Sequence, residues 1–307
     1  MIKNGDRLIW KILKEICAEE GIEFRSYCRD WMAELRKGDK KTFVCGYQLE
    51  INSAAAQLIA RDKCAAGEIL AANGVPAAEH HLFIVPTEVS YLGMSSSWRD
   101  MTALLEKYGK VVLKDNEGTG GRNVYKVENQ SQLEAAAHKL FSVCRTISVS
   151  PFYEIEGEYR VIVFKGRAEL VFAKNRLFVT GDGKATVSAL AVEKYGGTDE
   201  YTEAELRRVP LAGEKVYLTW KHNLGRGAKP EELCGGELYD ELCRLAAGAA
   251  SAINAKLASV DVISVDGRLM VLEINSGIMM ENFGVLSGKN YDTAKRIYKE
   301  SVDELLR

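Results

Sequence analysis

The segment Ser259–Gly277, SVDVISVDGRLMVLEINSG, decides the fold because it combines apolar strands with three polar side chains. Apolar residues run on either side of Asp266-Gly267, a dipeptide that predicts a turn between two strands. The polar residues within these strands are Asp261, Glu273 and Asn275. Burying two carboxylates costs several kcal/mol unless a cation or hydrogen-bond donors compensate them. Oxygen ligands of this kind suit Mg²⁺, so the segment predicts a metal site rather than a solvated strand face.

The length of the turn decides whether the two carboxylates share a face of the sheet. A two-residue loop at Asp266-Gly267 would place Asp261 opposite Leu272 and turn Glu273 to the other face. A three-residue loop, or an equivalent bulge, would instead place Asp261 opposite Glu273. A shared metal site therefore predicts an irregular hairpin.

A second informative stretch is 111–127, VVLKDNEGTGGRNVYKV, in which an apolar strand leads through Lys114 into a glycine-rich loop and another strand. Glycines allow backbone N–H groups to approach an anion closely, and a lysine adds a compact positive charge, so the combination suits a nucleotide phosphate. A plain glycine-rich hairpin with a solvated lysine is an equally open interpretation. The loop is not a Walker A motif, because it has no Gly-Lys-Ser/Thr sequence and no helix directly behind it.

Two further stretches carry charged residues in regular elements. In 60–76, ARDKCAAGEILAANGVP, Lys63 lies at the start of an alanine-rich helix, where a solubilising surface lysine is the favoured interpretation. In 150–166, SPFYEIEGEYRVIVFKG, Glu158 and Arg160 are two residues apart and so share one face of a strand. Such residues can bind ribose hydroxyls and a phosphate or carboxylate, or they can form an exposed ion pair of little energetic value.

The composition is that of a globular protein without a strongly charged surface. The 307 residues contain 41 Lys and Arg against 43 Asp and Glu, so the net charge of −2 predicts neither nucleic-acid nor membrane binding. No apolar stretch is long enough to span a membrane and the N-terminus lacks a signal-peptide pattern, so we expect a cytoplasmic protein. Seven scattered cysteines and four histidines without metal-binding spacing predict reduced thiols and an oxygen-bound metal.

Strand and helix signals follow one another with long connections, which predicts an α+β fold rather than a parallel Rossmann array. Helices are predicted near 6–20, 131–143 and 236–257, and one or two helices over 52–73. Another helix ends at Tyr108 after a Ser-rich loop at 95–97. Strands are predicted at 22–27, 42–46, 82–85, 110–115, 147–152, 158–164, 168–177 and 215–220, with two more between 260 and 275.

Roughly residues 50–285 resemble the ATP-grasp superfamily of carboxylate–amine ligases. The resemblance lies in four elements in this order: a helical Asp-Lys pair, a lysine with a glycine-rich loop, Gly-Glu-Tyr-Arg-Val, and an Asp followed by Glu-x-Asn. The stretches 179–190 (VTGDGKATVSAL) and 209–233 (VPLAGEKVYLTWKHNLGRGAKPEEL) resemble cyanophycin synthetases and the ligase domain of fused bacterial glutathione synthetases. D-Alanine ligases and ribosomal-protein glutamate ligases are similar more distantly.

The resemblance implies an ATP-grasp fold, in which two α+β lobes grip the nucleotide. The three expected parts are a reduced N-terminal lobe (1–55), a small lobe with the glycine-rich lid (56–150) and a C-terminal lobe with the metal site (151–307). Ser259 stands where D-alanine ligases carry an arginine.

The resemblance also implies a role for each residue singled out above. Residues that would bind ATP are Lys63, Lys114, the lid residues Gly118, Thr119, Gly120 and Gly121, the adenine-hinge residues Ser150, Phe152 and Tyr153, and the ribose ligand Glu158. Residues that would hold two Mg²⁺ ions, with Mn²⁺ as a substitute, are Asp261, Glu273 and Asn275. Catalytic candidates for binding the acylphosphate or the substrate carboxylate are Arg160, Arg176 and Lys184.

The function implied by the resemblance is an ATP-dependent ligase that activates a carboxylate as an acylphosphate and joins it to an amine. Its partners would be amino-acid or peptide substrates, and a homodimer is compatible with the sequence. Two alternatives stay open: a kinase-like phosphotransferase of the same fold, and a nucleotide-binding module without turnover. Release of ADP only when both a carboxylate and an amine are present would separate the ligase from both.

Overall fold

The computed structural model of the chain describes residues 6–86, 97–196, 203–222, 224 and 228–307. The chain divides into two compact units, one formed by Met1–Val171 with Leu233–Arg307 and the other by Phe172–Glu232. The predicted Ser-rich loop at 95–97 lies largely outside the described residues. Residue 223 and residues 225–227, in the second stretch that resembles cyanophycin synthetases, also lie outside them.

The N-terminal segment of the first unit is a helix followed by a small antiparallel sheet. Helix α1 (Leu8–Glu20) buries its apolar side and ends at Gly21, which adopts the left-handed conformation with φ 65°. Four strands follow in sequential order: β1 (Glu23–Tyr27), β2 (Met32–Lys37), β3 (Lys40–Cys45) and β4 (Gln48–Leu49). The predicted helix and the strands near β1 and β3 are confirmed, whereas β2 and the two-residue β4 were not predicted.

The alanine-rich run forms two helices, α2 (Ala54–Arg61) and α3 (Lys63–Ala72). They are separate because Asp62 between them has an extended backbone, with φ −89° and ψ 107°. The Asp62 carboxylate accepts a hydrogen bond from the Ala65 N–H at 2.9 Å and so caps α3. This break makes Lys63 the first residue of α3.

The next part of the first unit is a four-stranded antiparallel sheet covered by two helices. Its elements in chain order are β5 (His81–Ile84), α4 (Trp98–Tyr108), β6 (Val111–Asp115), β7 (Val124–Val127), α5 (Gln130–Phe141) and β8 (Thr146–Pro151). The strand order is β5-β8-β6-β7. Val111 and Leu113 face a core that includes Leu133 and Leu140 of α5. The alternation of side chains along β6 therefore turns Lys114 away from this core.

The chain then continues through β9 (Gly157–Phe164) and β10 (Arg167–Asn175), and β10 runs from the first unit into the second. Within the second unit follow β11 (Phe178–Thr180), α6 (Val187–Tyr195), α7 (Glu203–Arg207), β12 (Lys215–Tyr217) and β13 (Lys229–Glu232). Strands β11 and β12 pair antiparallel, and β13 pairs antiparallel with the end of β10. The strand predicted at 215–220 is thus shorter in the structure.

On returning to the first unit, the chain forms α8 (Glu237–Ala252), β14 (Leu257–Val265) and β15 (Arg268–Asn275). Strand β14 lies between β9 and β15, and both pairings are antiparallel. One face of this sheet, including Val260 and Val262, packs in a core with Leu242 and Ala246 of α8. Because side chains alternate along a strand, Asp261 belongs to the opposite face.

The C-terminal residues form α9 (Glu281–Gly284) and α10 (Gly288–Leu305), and α10 packs against α1. Lys295 of α10 forms an ion pair with Glu19 of α1 at 2.6 Å. Helix α10, which buries Ile297, Tyr298 and Val302, was not predicted from the sequence. No helix in the described part of the chain is long and apolar enough to cross a membrane.

Candidate functional site

The β14–β15 hairpin contains the irregularity that a shared metal site requires. Its turn is a two-residue loop, Asp266-Gly267, with φ 49° and 70°, so Val265 pairs with Arg268. The register then shifts by one residue, and Asp261 pairs with Glu273 instead of Leu272. The predicted three-residue loop is therefore wrong, but the equivalent bulge is confirmed. It places the two carboxylates on one face.

Asp261 is held by an arginine of the neighbouring strand. Arg160 of β9 lies directly opposite Asp261, and its Nε and a terminal nitrogen donate to the two carboxylate oxygens at 2.7 and 2.8 Å. The side chains are 12% and 2% exposed, so the interpretation as an exposed ion pair is wrong. Burial disfavours the guanidinium charge, but Asp261 outweighs it and raises the pKa of Arg160. The forked geometry fixes both side chains.

Glu273 and Asn275 complete this polar face. The Asn275 amide donates to Glu273 Oε1 at 3.3 Å. Ser259 pairs with Asn275 across the strands, and its hydroxyl is buried without a hydrogen-bond partner among the described residues. The described residues contain no group of three or more His, Cys, Asp or Glu side chains able to hold a metal ion. The candidate site for a cation is therefore two carboxylates with an amide oxygen.

Lys114 on β6 brings positive charge to the same site. Its side chain is buried, and within the described residues its ammonium group makes no hydrogen bond or ion pair. Burial lowers the pKa of Lys114 to about 8, although the carboxylates of Glu273 and Glu158 favour its charged form. Repulsion by the positive charge of Lys63 also lowers the pKa of Lys114. Lys114 is thus a buried amine without a protein acceptor.

Lys63 is also buried, which contradicts its interpretation as a solubilising residue. Its ammonium group donates to the backbone carbonyls of Asp115, Asn116 and Gly118, at 3.4, 3.1 and 2.6 Å. These carbonyls belong to the start of the glycine-rich loop. Lys63 therefore fixes the point at which the loop leaves β6.

The glycine-rich loop connects β6 with β7 and includes all four predicted lid residues. Gly120 and Gly121 have φ of 70° and 65°, a region that L-residues rarely adopt. A Cβ on Gly118 would lie 2.8 Å from the Asp115 Cβ, so only glycine fits there. Thr119 is exposed in the same loop. The assignment of these residues to a phosphate-binding lid stays a prediction.

The predicted adenine hinge follows β8. Ser150 is buried on β8, opposite Val112. The Phe152 N–H donates to the Lys110 carbonyl at 3.0 Å, so this N–H is already used by the protein. The Tyr153 hydroxyl accepts a hydrogen bond from the Glu79 N–H at 3.0 Å. These contacts fix the backbone of the hinge, whose binding of adenine stays a prediction.

The predicted ribose ligand Glu158 is buried on β9. It is two residues from Arg160 on the same face, and its charge acts on both Arg160 and Lys114. The structure therefore brings together, within the first unit, seven of the predicted residues: Lys63, Lys114, Glu158, Arg160, Asp261, Glu273 and Asn275.

Arg176 and Lys184 belong to the second unit. The Arg176 guanidinium lies 3.9 Å from the ring centroid of Tyr217, and its Nε is buried without a hydrogen-bond partner among the described residues. The backbone N–H of Lys184 donates to Asp182 at 2.8 Å. Their predicted roles toward a substrate stay predictions.

His80 is part of the site but was not predicted. Its ring contacts Ser148, which pairs with Lys114 across β6 and β8, and the carbonyl of Leu272 in the β15 bulge. The sequence shows only two adjacent histidines before a strand, and no spacing distinguishes His80 from His81.

Comparisons with known proteins bear on the fold. The model of the RimK-like ATP-grasp domain matches residues 217–299, which include the β14–β15 hairpin. No curated protein sequence matches the chain. Among solved structures, the chain is similar to a bifunctional glutathione synthetase from Pasteurella multocida, with 18% identity and a TM-score of 0.55, over 95% of this chain and 44% of that one.

The chain is also similar to D-alanine–D-alanine ligases. The Bacillus anthracis enzyme has 14% identity and a TM-score of 0.54, over 83% of this chain and 68% of that one. The Coxiella burnetii enzyme has 12% identity and a TM-score of 0.52, over 82% of this chain and 61% of that one. The chain spans less than half the length of the glutathione synthetase. The predicted α+β architecture is confirmed, and the chain has the ATP-grasp fold.

Proposed function

We propose that the protein is an ATP-dependent carboxylate–amine ligase that forms a peptide or amide bond and releases ADP. The observation that carries this proposal is the buried Lys114, whose ammonium group has no acceptor within the described part of the chain and lies beside the paired carboxylates Asp261 and Glu273 on an ATP-grasp scaffold. A buried ammonium group of this kind suits an anionic ligand. The carboxylates suit the cation that accompanies a nucleotide triphosphate.

The residues present fit Mg²⁺, the cofactor proposed with ATP. Asp261 and Glu273 supply carboxylate oxygens, and the Asn275 Oδ1 is a third hard donor because its amide nitrogen already faces Glu273. The buried Ser259 hydroxyl, which has no hydrogen-bond partner among the described residues, belongs to the residue opposite Asn275. When bound, the cation neutralises charge on the phosphates. Two ions, with Mn²⁺ as a substitute, belong to the same proposal.

In the proposed reaction, a carboxylate oxygen attacks the γ-phosphorus, the bond from that phosphorus to the ADP oxygen breaks, and an acylphosphate forms. An amine then attacks the acyl carbon, and phosphate leaves as the amine loses a proton. Neither step needs a protein nucleophile. Lys114 would bind the phosphates, while Arg160, Arg176 and Lys184 are the cations proposed to stabilise developing negative charge.

The proposed substrates are an amino-acid or peptide carboxylate and an amine. The lid at Gly118–Gly121 is proposed to exclude the water that would otherwise hydrolyse the acylphosphate. Its backbone conformation supports this role, because Gly120 and Gly121 turn the chain without side chains between the loop and a phosphate.

Release of ADP and phosphate from MgATP tests the proposal, with pairwise pools of amino acids and short peptides as substrates. We expect release only when a carboxylate and an amine are both present, and a condensed product in the mass spectrum. Carrying out the productive reaction with ¹⁸O-labelled carboxylate should transfer one labelled oxygen to phosphate, since the acylphosphate contains that oxygen. Phosphate without label would contradict the proposed intermediate. Release that needs no amine would favour the kinase-like alternative.

A nucleotide-binding module without turnover is a second candidate, and the Arg160–Asp261 ion pair favours it. Arg160 already neutralises Asp261, so this carboxylate does not need a cation for its own stability. ADP formation by wild type and by Arg160→Met separates the two candidates. A ligase should form ADP as wild type and lose this activity when the guanidinium is removed, whereas a module should form none in either protein and keep its MgATP affinity. Nucleotide binding without ADP formation across the whole substrate panel would favour the module.

A further inference from the structure

The segment that precedes β5 runs beside β15, next to its bulge. The Val271 N–H donates to the Pro76 carbonyl at 2.9 Å, and the Ala78 N–H donates to the Val271 carbonyl at 2.8 Å. Ala77 and Val271 thereby form a parallel bridge. The regular pairing stops here, and the next residue of β15, Leu272, is the one without a partner on β14.

His80 forms a hydrogen bond with the carbonyl of the bulge residue Leu272. Its Nε2 lies 3.3 Å from the Leu272 carbonyl oxygen, and its Nδ1 lies 3.0 Å from the Ser148 hydroxyl. A carbonyl can only accept, so Nε2 carries the proton and Nδ1 accepts from Ser148. Burial, and next the charge of Lys114, lower the pKa of His80 well below its ordinary value, which agrees with a neutral ring.

The ring also joins the two sheets of the site. Ser148 lies on β8 opposite Lys114, while Leu272 lies on β15 directly before Glu273. One small cavity of the first unit is lined by Lys63, His80, Leu272 and Glu273, together with apolar side chains. His80 therefore contacts the strand neighbour of Lys114 and the residue directly before Glu273.

We propose that His80 is a positioning residue, which holds the Leu272 carbonyl in the bulge and thereby keeps Glu273 on the same face as Asp261. The register explains why this matters. Without the bulge, Asp261 would pair with Leu272, and Glu273 would turn to the opposite face. This inference rests on the proposed function, because it assigns His80 a role toward the cation held by Glu273.

Three variants separate this role from a general packing role. His80→Leu removes both hydrogen bonds and keeps an apolar side chain, whereas His80→Gln keeps one donor and one acceptor. The matched control is His81→Leu, because the His81 ring is partly exposed and contacts the Glu79 carboxylate at 2.7 Å on the surface. If His80→Leu does not fold, Ser148→Ala serves instead, since it removes the bond that orients the ring, together with the Ser148 contact to the Cys64 thiol.

The first readout is hydrogen–deuterium exchange of the peptide covering 268–275 in the protein without ligand. We expect faster exchange of this peptide in His80→Leu, wild-type exchange in His81→Leu, and an intermediate rate in His80→Gln. Unchanged exchange in His80→Leu would overturn the link between His80 and the bulge. This readout needs neither metal nor nucleotide, so it decides the link even if the proposed function fails.

The second readout is Mn²⁺ binding by electron paramagnetic resonance in the presence of ADP, together with calorimetry of ADP binding without metal. We expect His80→Leu to weaken Mn²⁺ binding about tenfold or more, as is typical for residues that orient a metal ligand, and to change metal-free ADP affinity much less. Equal losses of both affinities, or no loss of Mn²⁺ affinity, would overturn the positioning role. A wild-type protein that binds neither ADP nor Mn²⁺ would refute the proposed function instead.

Discussion

The start of α3 and strand β6 each place a lysine in the interior, but the two lysines have different partners. Lys63 and Lys114 are both 8% exposed. Lys63 donates to three backbone carbonyls, whereas Lys114 makes no hydrogen bond or ion pair within the described residues. A buried ammonium group with protein acceptors is a structural element, whereas one without them is available to an anionic ligand. The difference supports loop positioning by Lys63 and the proposed binding of phosphate by Lys114.

The largest effect is expected for Glu273→Gln, which removes the carboxylate that favours the charged form of Lys114. We expect ADP formation to fall by more than about a hundredfold, because the cation loses a charged ligand. The melting temperature of the ligand-free protein should stay close to that of wild type, since glutamine keeps the shape and can still accept from Asn275.

The measurements are ADP release and thermal melts, with Glu128→Gln as the control because Glu128 is an exposed glutamate on the same unit. If Glu273 served only to stabilise the fold, Glu273→Gln would melt at a much lower temperature and its folded fraction would stay active. That result would contradict the assignment of Glu273 to a cation site beside Lys114.

Lys114→Met should weaken ADP binding without metal at least about tenfold, the cost of losing a charge-assisted hydrogen bond of roughly 1.5–3 kcal/mol. Calorimetry measures this, and Lys110→Met is the control because Lys110 is exposed and paired with Glu128 at the surface. The ligand-free Lys114→Met protein should be no less stable than wild type, since the buried charge has no protein acceptor. An unchanged dissociation constant would remove Lys114 from the nucleotide site.

The pKa of Lys114 makes nucleotide binding depend on pH. Because this pKa is lowered from 10.5 to about 8, the ammonium group loses its charge as the pH rises through that value. We expect ADP affinity to fall about tenfold between about pH 7 and about pH 9. Lys114→Arg keeps its charge in this range, so its affinity should change much less. A flat profile for wild type would show that Lys114 does not bind the phosphates.

The lowered pKa of Lys114 also affects the free energy of unfolding, which depends on pH in the opposite sense to ADP affinity. Between about pH 8 and pH 10.5 the unfolded chain binds more protons at this lysine than the native protein does. The contribution of Lys114 to the free energy of unfolding therefore rises with pH across that window. Denaturant unfolding of wild type and Lys114→Met measures this effect. The difference between their free energies of unfolding should shrink as the pH rises across this window.

The smallest effect on nucleotide binding is expected for Lys63→Met. Three carbonyls at the start of the loop would lose their donor, which should cost stability, with a loss of order 1–3 kcal/mol for groups left buried. The metal-free ADP affinity should fall less than in Lys114→Met, because Lys63 acts through the loop. Denaturant unfolding and calorimetry measure the two effects. A larger loss of affinity than in Lys114→Met would reverse the roles of the two lysines.

The sequence predicted most strands and helices, because the apolar periodicity of α1, β6 and the β14–β15 hairpin is a local property. It also predicted that Asp261 and Glu273 share a face. It did not determine how they do so, since the bulge residue Leu272 is in contact with His80, which is 192 residues away in the sequence. Tertiary contacts of this kind leave no local pattern.

The two lysines illustrate the same limit. Lys63 lies in an alanine-rich helical segment of ordinary composition, so apart from the family resemblance no local pattern distinguishes it from a surface lysine. Its role became clear only from the three carbonyls of residues 115–118, which the folded chain brings to it. Likewise, the pairing of Arg160 with Asp261 follows from the antiparallel register of β9 and β14, which two separate segments define together.

The most direct measurement is calorimetric titration of the wild-type protein with ATP, in the presence of Mg²⁺ and in the presence of a chelator. We expect binding in both cases, with the dissociation constant at least about tenfold lower when Mg²⁺ accompanies the nucleotide, because Asp261, Glu273 and Asn275 would then hold the cation beside the phosphates. No binding at millimolar ATP, or equal affinity with and without Mg²⁺, would contradict it.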